Sequence, residues 1–236
     1  MSVVLDRVRE KQSRAAAKLA EDVSTTPLSK LVRGETWSDH QQAQYSPFEL
    51  ALAKGTLSRE GYADLLGQVI PVYEAIAARE VELSADPLVS RVIFPELERR
   101  PAIEADLEFY AGADWAEKVQ LLDVSREYAE RIRNATPIQF VAHHYNRYLA
   151  DLSGGLMIAA ALKRAWDLDG EGLKYYDFAE IPDANAWKAN YRNVLDTLPL
   201  DDEQKTELVF EVIVAYEYNI VMAEQLADRH LTIGAS

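Results

Sequence analysis

The four histidines of this chain are His40, His143, His144 and His230, and their spacing limits the metal chemistry open to them. No HExxH, HxxxH or ExxH pattern occurs, so zincin and ferritin-like di-iron sites lack their usual ligand spacing. The absence of cysteine removes disulfides, thiolate nucleophiles and zinc knuckles. His40 stands on a strongly helical stretch, where a solitary histidine is either a ligand or an ordinary surface or core residue. Arg33 precedes it by seven positions, close to two helical turns, which puts a cation on the same face at roughly 10 Å. Lys188 and Arg192 form a second basic pair at i,i+4, and Arg147 and Asp151 share that spacing with opposite charges. Taken alone, each cation reads as a solvated charge, and the Arg147–Asp151 couple as an intrahelical ion pair.

The elements that must position these groups are helical, and the most informative is VAHHYNRYLADLSGGLMIAAALKRAW, residues 141–166. Thr136-Pro137-Ile138-Gln139 supplies a capping box with proline at the first helical position. Phe140, His144, Tyr148 and Leu152 then recur at helical spacing. Each glycine inside a helix costs about 1 kcal/mol relative to alanine, so the pair Gly154-Gly155 needs a reason. The glycines kink the helix, let a bulky flat ligand approach bare backbone, or simply end one helix before another.

Helical period dominates elsewhere, with no convincing run of alternating strand pattern. Thr26-Pro27 opens a helix expected to run to about Gln44, Ser46-Pro47 breaks it, and Gly55 closes a short continuation. Ser58 caps a long helix through Tyr62, Leu66, Tyr73 and Ile76. Asp86-Pro87, Arg100-Pro101 and Asp114-Trp115 each begin a further element, and a short Tyr/Phe-rich segment follows Asp169-Gly170. Asp183 starts the next helix, and Asp201 with Gln204 caps a last long one. The chain reads as one all-α domain over residues 27–236, with residues 1–26 an N-terminal extension that is either an extra amphipathic helix or a loose tail.

At 236 residues and 48% hydrophobic composition, the chain can bury a substantial core and is not disordered. No apolar run approaches the roughly 18 residues of a membrane span, and the charged start is not a secretory signal, so a cytoplasmic protein is expected. A net charge of −14 repels phosphate backbones and excludes nucleic-acid binding as an expectation. The acidic surface either serves solubility or docks a basic partner.

HHYNRYLADLSGG resembles the distal-helix signature of the heme oxygenases, which reads close to RYLGDLSGGQ. It departs at Ala150, where the family has glycine, and at Leu156, where glutamine is usual. TWSDHQQAQYSPF resembles the proximal-helix segment of that family and WKANYRNVL its propionate-binding helix. SRVIFPELERRPAIEADLEFY and AYEYNIVMAEQL are also similar, so the resemblance covers about residues 27–230.

The resemblance implies a single-domain helical fold holding heme between a His40-bearing proximal helix and a kinked distal helix over 137–166. With no cysteine, an axial ligand must be histidine, tyrosine or methionine, and His40 falls on the position of the iron ligand. Arg33, Lys188 and Arg192 fall on cation positions that suit the heme propionates. Asp151 matches the aspartate that anchors ordered water beside O2, with Tyr73, Arg147 and Asn219 in or near that network. Gly154 and Gly155 keep the heme face clear, and Tyr145 and Phe178 are either pocket or wall residues or ordinary aromatic core. The implied activity is opening of heme, both cofactor and substrate, to biliverdin, CO and ferrous iron with O2. No GxGxxG or P-loop occurs, so electrons come from an external donor such as a ferredoxin, flavodoxin or flavin reductase. The alternative is a heme carrier or sensor on the same scaffold that does not turn over.

Overall fold

The structure, a computed structural model, describes residues 3–231. The outer limits expected for the extension and the domain, residues 1 and 236, lie outside that range. The described residues form helices joined by turns. The first is α1 (Val3–Asp22), whose Val4, Val8, Ala15 and Leu19 recur on one face and are buried. Then come α2 (Leu28–Glu35), α3 (Trp37–Gln44), α4 (Pro47–Lys54) and the long α5 (Arg59–Leu83). Two 3-10 turns lead to α6 (Arg100–Ala111), the short α7 (Trp115–Lys118) and α8 (Asp123–Arg133). α9 (Pro137–Ala150), one π-helical turn (Asp151–Gly155) and α10 (Leu156–Trp166) follow end to end, and α11 (Ala184–Asp196) and α12 (Asp202–His230) complete the chain.

The caps read from the sequence hold the helix ends. Ser46 and Ser58 accept from Glu49 and Gly61 backbone amides, and Asp183 from those of Asn185 and Ala186. Thr136/Gln139 and Asp201/Gln204 form complete capping boxes. Gly55 ends α4 at φ 69°, and a Cβ there would lie 2.8 Å from that of Ala165, so both its conformation and its neighbour require glycine.

One expectation is corrected. The helix expected over 27–44 is two helices, because Thr36 (φ −104°, ψ 9°) leaves helical geometry and its hydroxyl bonds back to Val32 O at 2.8 Å. The element beginning at Asp114-Trp115 is the short α7, which ends where Val119 turns extended (ψ 121°), and α8 starts separately at Asp123. Gln68, fully buried on α5, satisfies the backbone freed there. Its side-chain amide donates to Gln120 O at 3.1 Å and accepts from Leu122 N at 2.8 Å and Ser125 Oγ at 2.9 Å.

α12 packs against α1, α3, α4, α8 and α9, while α5 packs on α6 and α8. Most of α12 is buried, from Leu208 to Ala227, so its sequence carries little amphipathic stripe.

Candidate functional site

A cavity of about 560 Å³ opens between the α2–α3 segment and the segment running from α9 through the π turn into α10. α4, α5 and α12 complete its wall with Phe48, Leu65, Val69, Met222 and Leu226. Of the four histidines, His40 lines this space. The others are engaged in the fold: His143 with Glu211 at 2.9 Å, His144 with Tyr191 OH at 2.7 Å, and His230 with Asp64 at 2.7 Å.

His40 is held by its ring neighbours. Trp37 stacks on it at 5.2 Å and 10°, and Tyr216 of α12 meets it edge-on at 6.3 Å. Its Nδ1 is buried without a hydrogen-bonding partner. Burial, and then the Arg33 charge, lower its pKa below the ordinary histidine value. A neutral imidazole in a cavity wall is the donor that heme iron requires, so the residue fits the expected ligand role.

The opposite wall is the π turn. Gly155 keeps helical φ and ψ (−58°, −41°), so the helical path is unbroken and the reading in which glycine ends a helix is excluded. The irregularity is a single widened turn, a device that re-aims side chains and backbone. The two glycines serve different purposes. A Cβ on Gly154 would meet nothing within 4 Å and would project into free space, whereas one on Gly155 would lie 2.5 Å from the Tyr176 ring. Gly154 keeps the face open, while Gly155 lets Tyr176 close behind it. Ala150 lines the cavity at helical φ and ψ (−65°, −49°), so its methyl is accommodated without backbone strain.

Asp151, the first residue of the turn, is buried on the cavity wall. Its carboxylate is 3.7 Å from Arg147, too long for a hydrogen bond. Two phenols bridge the gap. Tyr73 and Tyr175 both donate to Asp151, the latter at 3.0 Å, and both accept from Arg147, at 3.1 and 2.7 Å. Arg147 also donates to Asn219 Oδ1 at 2.8 Å, and Asn219 to Asn146 Oδ1 at 2.9 Å. Burial raises the Asp151 pKa above the usual carboxylate value, against the pull of Arg147 and the two hydroxyls. Asn146 Nδ2 and Arg147 Nε are buried here with no hydrogen-bonding partner. A carboxyl that holds its proton more tightly than an exposed aspartate, beside unused donors, is suited to ordering water and passing a proton.

The expected cations separate. Arg33 and Arg192 line the cavity with Tyr145, whose pKa is raised by burial and pulled back by both guanidiniums, which places the three at one end. Lys188 is not in the lining. It donates to Leu152 O and Ser153 Oγ, both at 3.3 Å, and so ties α11 to the π turn. Its pKa is lowered by burial and then by Arg192. Tyr73 lies behind Asp151 rather than on the surface of the cavity. Phe178 is a core residue under the Arg99 guanidinium, 4.0 Å from its ring centre, so of its two readings aromatic core holds and wall residue does not.

Sequence reasoning missed Tyr175, Asn146, Trp37, Tyr216 and Glu49 as site residues. Tyr175 lies in the Tyr/Phe-rich segment, and Asp106 fixes its backbone by accepting from Lys174 N at 2.9 Å and Tyr175 N at 2.8 Å. Asn146 stood within the signature itself. Nothing in the sequence alone distinguished the others from core or surface.

The heme oxygenase family profile matches residues 26–225 of this chain. Heme oxygenase 1 of Nostoc sp. is 35% identical over 203 residues, covering 84% of this chain and 85% of that protein. The heme oxygenase of Porphyra purpurea is 36% identical over 204 residues, 84% of this chain and 86% of the relative. The crystal structure of heme oxygenase-1 from Synechocystis sp. in complex with heme superposes at TM-score 0.82 with 32% identity, covering 86% of this chain and 94% of that one. Sequence and three-dimensional structure agree over the same span: the chain belongs to the heme oxygenase family.

Proposed function

We propose that the chain opens heme to biliverdin, CO and ferrous iron using O2, with His40 as the iron ligand and Asp151 as the group that holds and delivers the proton. The observation that carries this reading is one cavity with a neutral imidazole on one wall and the Asp151–phenol–Arg147 network on the other. Heme, when bound, supplies the iron that activates O2 and the macrocycle that is opened.

The chain's own residues divide the remaining work. Arg33 and Arg192 orient the propionates by charge and planar hydrogen bonding. Lys188 fixes the π turn through Leu152 O and Ser153 Oγ. Gly154 leaves bare backbone where a flat ligand must approach. Tyr73 and Tyr175 aim the Asp151 carboxylate and keep Arg147 from pairing with it directly. Asn219 and Asn146 extend the polar network along the wall, where water would find donors and acceptors linking the Asp151 oxygens to the cavity.

Electrons come from an external reductase, and a ferredoxin, flavodoxin or flavin reductase meets the chemical need. No helix among the described residues is long and apolar enough to cross a membrane, and a cytoplasmic site of action suits such donors. The test is aerobic turnover of the stoichiometric heme complex with a chemical reductant and catalase present, with products identified by mass. Biliverdin with loss of the Soret band is expected. A heme complex that survives unchanged would return the chain to the carrier or sensor reading. His40→Ala is expected to change both ferric and ferrous heme spectra, and unaltered spectra would remove the ligand assignment.

A further inference from the structure

Glu49 lines the heme cavity, yet none of the roles above uses it. It lies in the first turn of α4, where its backbone amide serves the Ser46 cap and its half-buried side chain turns into the cavity. Among the described residues, no group hydrogen-bonds to or ion-pairs with its carboxyl. An unpartnered carboxylate is costly to ionise in such a place. Burial raises the Glu49 pKa to about 7, with Arg147 pulling it down and Asp151 pushing it up.

Glu49 and Asp151 are the carboxyls in the cavity lining whose ionisation burial opposes. Arg147 and Asp151 bear on Glu49 from the distal helix, and Tyr176 faces it from the turn at 174–176. His40 on α3 is neutral at that pH, and burial keeps Tyr175, Tyr176 and Tyr216 protonated. α10 adds only Met157 and Ile158 to the lining. The charges that bear on Tyr145 are Arg192 and Arg33, whereas those that bear on Glu49 are Arg147 and Asp151. A planar dicarboxylate held on Arg33 and Arg192 would then bring its apolar part, not its carboxylates, to the Glu49 side of the cavity.

We propose that Glu49 makes heme loading proton-linked: the cavity takes the macrocycle while this carboxyl is neutral, and ionisation sets a bare carboxylate against an apolar edge and expels it. The inference rests on heme being the ligand of this cavity. Ionised Glu49 would be the unusable form, so apparent affinity falls with the neutral fraction. Between pH 6 and pH 8 that fraction drops about tenfold for a group titrating near 7.

The test is heme titration of the wild type and Glu49→Gln at both pH values, paired with melting of the heme-free proteins. The wild type is expected to bind heme about tenfold more weakly at pH 8 than at pH 6, with Glu49→Gln nearly flat. Titrations shared by both proteins, His40 included, cancel in the comparison. The heme-free melt checks the same group without ligand. A carboxyl whose pKa is raised by folding loses stability as pH rises from its unfolded value toward its folded one. Glu49→Gln should therefore melt above the wild type at pH 8, with the gap closing only below about pH 4. Equal pH slopes in the two proteins would overturn the proposal and leave the heme reading intact. Failure of both to bind heme would overturn the heme reading, and this inference with it.

Discussion

Asp151 and Arg147 are one helical turn apart, yet their charges communicate through the Tyr73 and Tyr175 hydroxyls. A direct pair would have spent the carboxylate's oxygens on the guanidinium; the bridged arrangement fixes its orientation and leaves it raised toward the range useful for proton delivery. Asp151→Asn keeps the shape but cannot exchange a proton. Heme binding should stay within a few fold, and single-turnover biliverdin formation should slow by about 10²–10⁴. Loss of heme binding together with activity would instead mark Asp151 as a structural residue. The two glycines separate in the same way. Gly155→Ala drives a methyl into Tyr176 and should cost about 1–3 kcal/mol in a denaturant melt of the heme-free protein. Gly154→Ala meets no protein atom, so it should raise the heme-free melt modestly, by up to about 1 kcal/mol of helix propensity, while lowering heme affinity.

At the scale of elements, α1 lies before the residues that match the family, and it grips the proximal helix. Lys11 bridges Asp39 of α3 at 2.7 Å and Glu217 of α12 at 2.6 Å, and Arg7 joins Glu217 and Glu224. Asp39 adjoins His40, and Glu217 sits between Tyr216 and Asn219, so the ion cluster lies directly behind the site. Glu217 is fully buried and Lys11 nearly so, which makes the cluster costly to break. Lys11→Met should lower stability by about 3 kcal/mol in urea unfolding. If α1 braces the iron ligand, the same variant should also shift the iron–histidine stretching frequency of the ferrous heme complex; an unshifted band would confine α1 to a stabilising role.

Across the whole molecule, α8, α9 and α12 are joined by a buried polar cluster away from the cavity. Glu211 accepts from Arg131 through both oxygens, at 2.8 and 2.6 Å, and meets His143 at 2.9 Å. Burial alone would raise the Glu211 pKa, but the His143 and Arg131 hydrogen bonds hold it down at about 2. A carboxyl depressed by folding stabilises the protein fully above its unfolded pKa, and that stability is lost as pH falls toward the folded value. The contribution is on the order of 3 kcal/mol, present above about pH 4.5 and gone near pH 2. Glu211→Gln should lose about that much at pH 7 in guanidinium unfolding and flatten the acid limb of the stability curve. An acid limb unchanged by the substitution would show that other carboxyls carry it.

The helical class, the caps and the signature helix were legible because they are local: a serine, threonine or aspartate before a helix meets amides two or three residues on, wherever the rest of the chain goes. His40, Arg33, Asp151, Arg147 and Gly154 could be named from motifs that resemble the family's, and the cavity brings all five to its wall. Tyr175, Asn146 and Glu49 could not be singled out, since a polar residue is assigned to core or cavity only by what packs opposite it. The break at Thr36 was hidden because a side-chain bond to Val32 competes with a sequence that otherwise favours helix. The pairing of Lys188 with the π turn and of Gly155 with Tyr176 joins positions far apart in the chain, and such contacts leave no period in the sequence. Sequence by itself determined which residue types could bind and open heme; the tertiary structure decided which of them face the cavity and which are held behind it, because burial and partners, not residue type, set where each charge and proton resides.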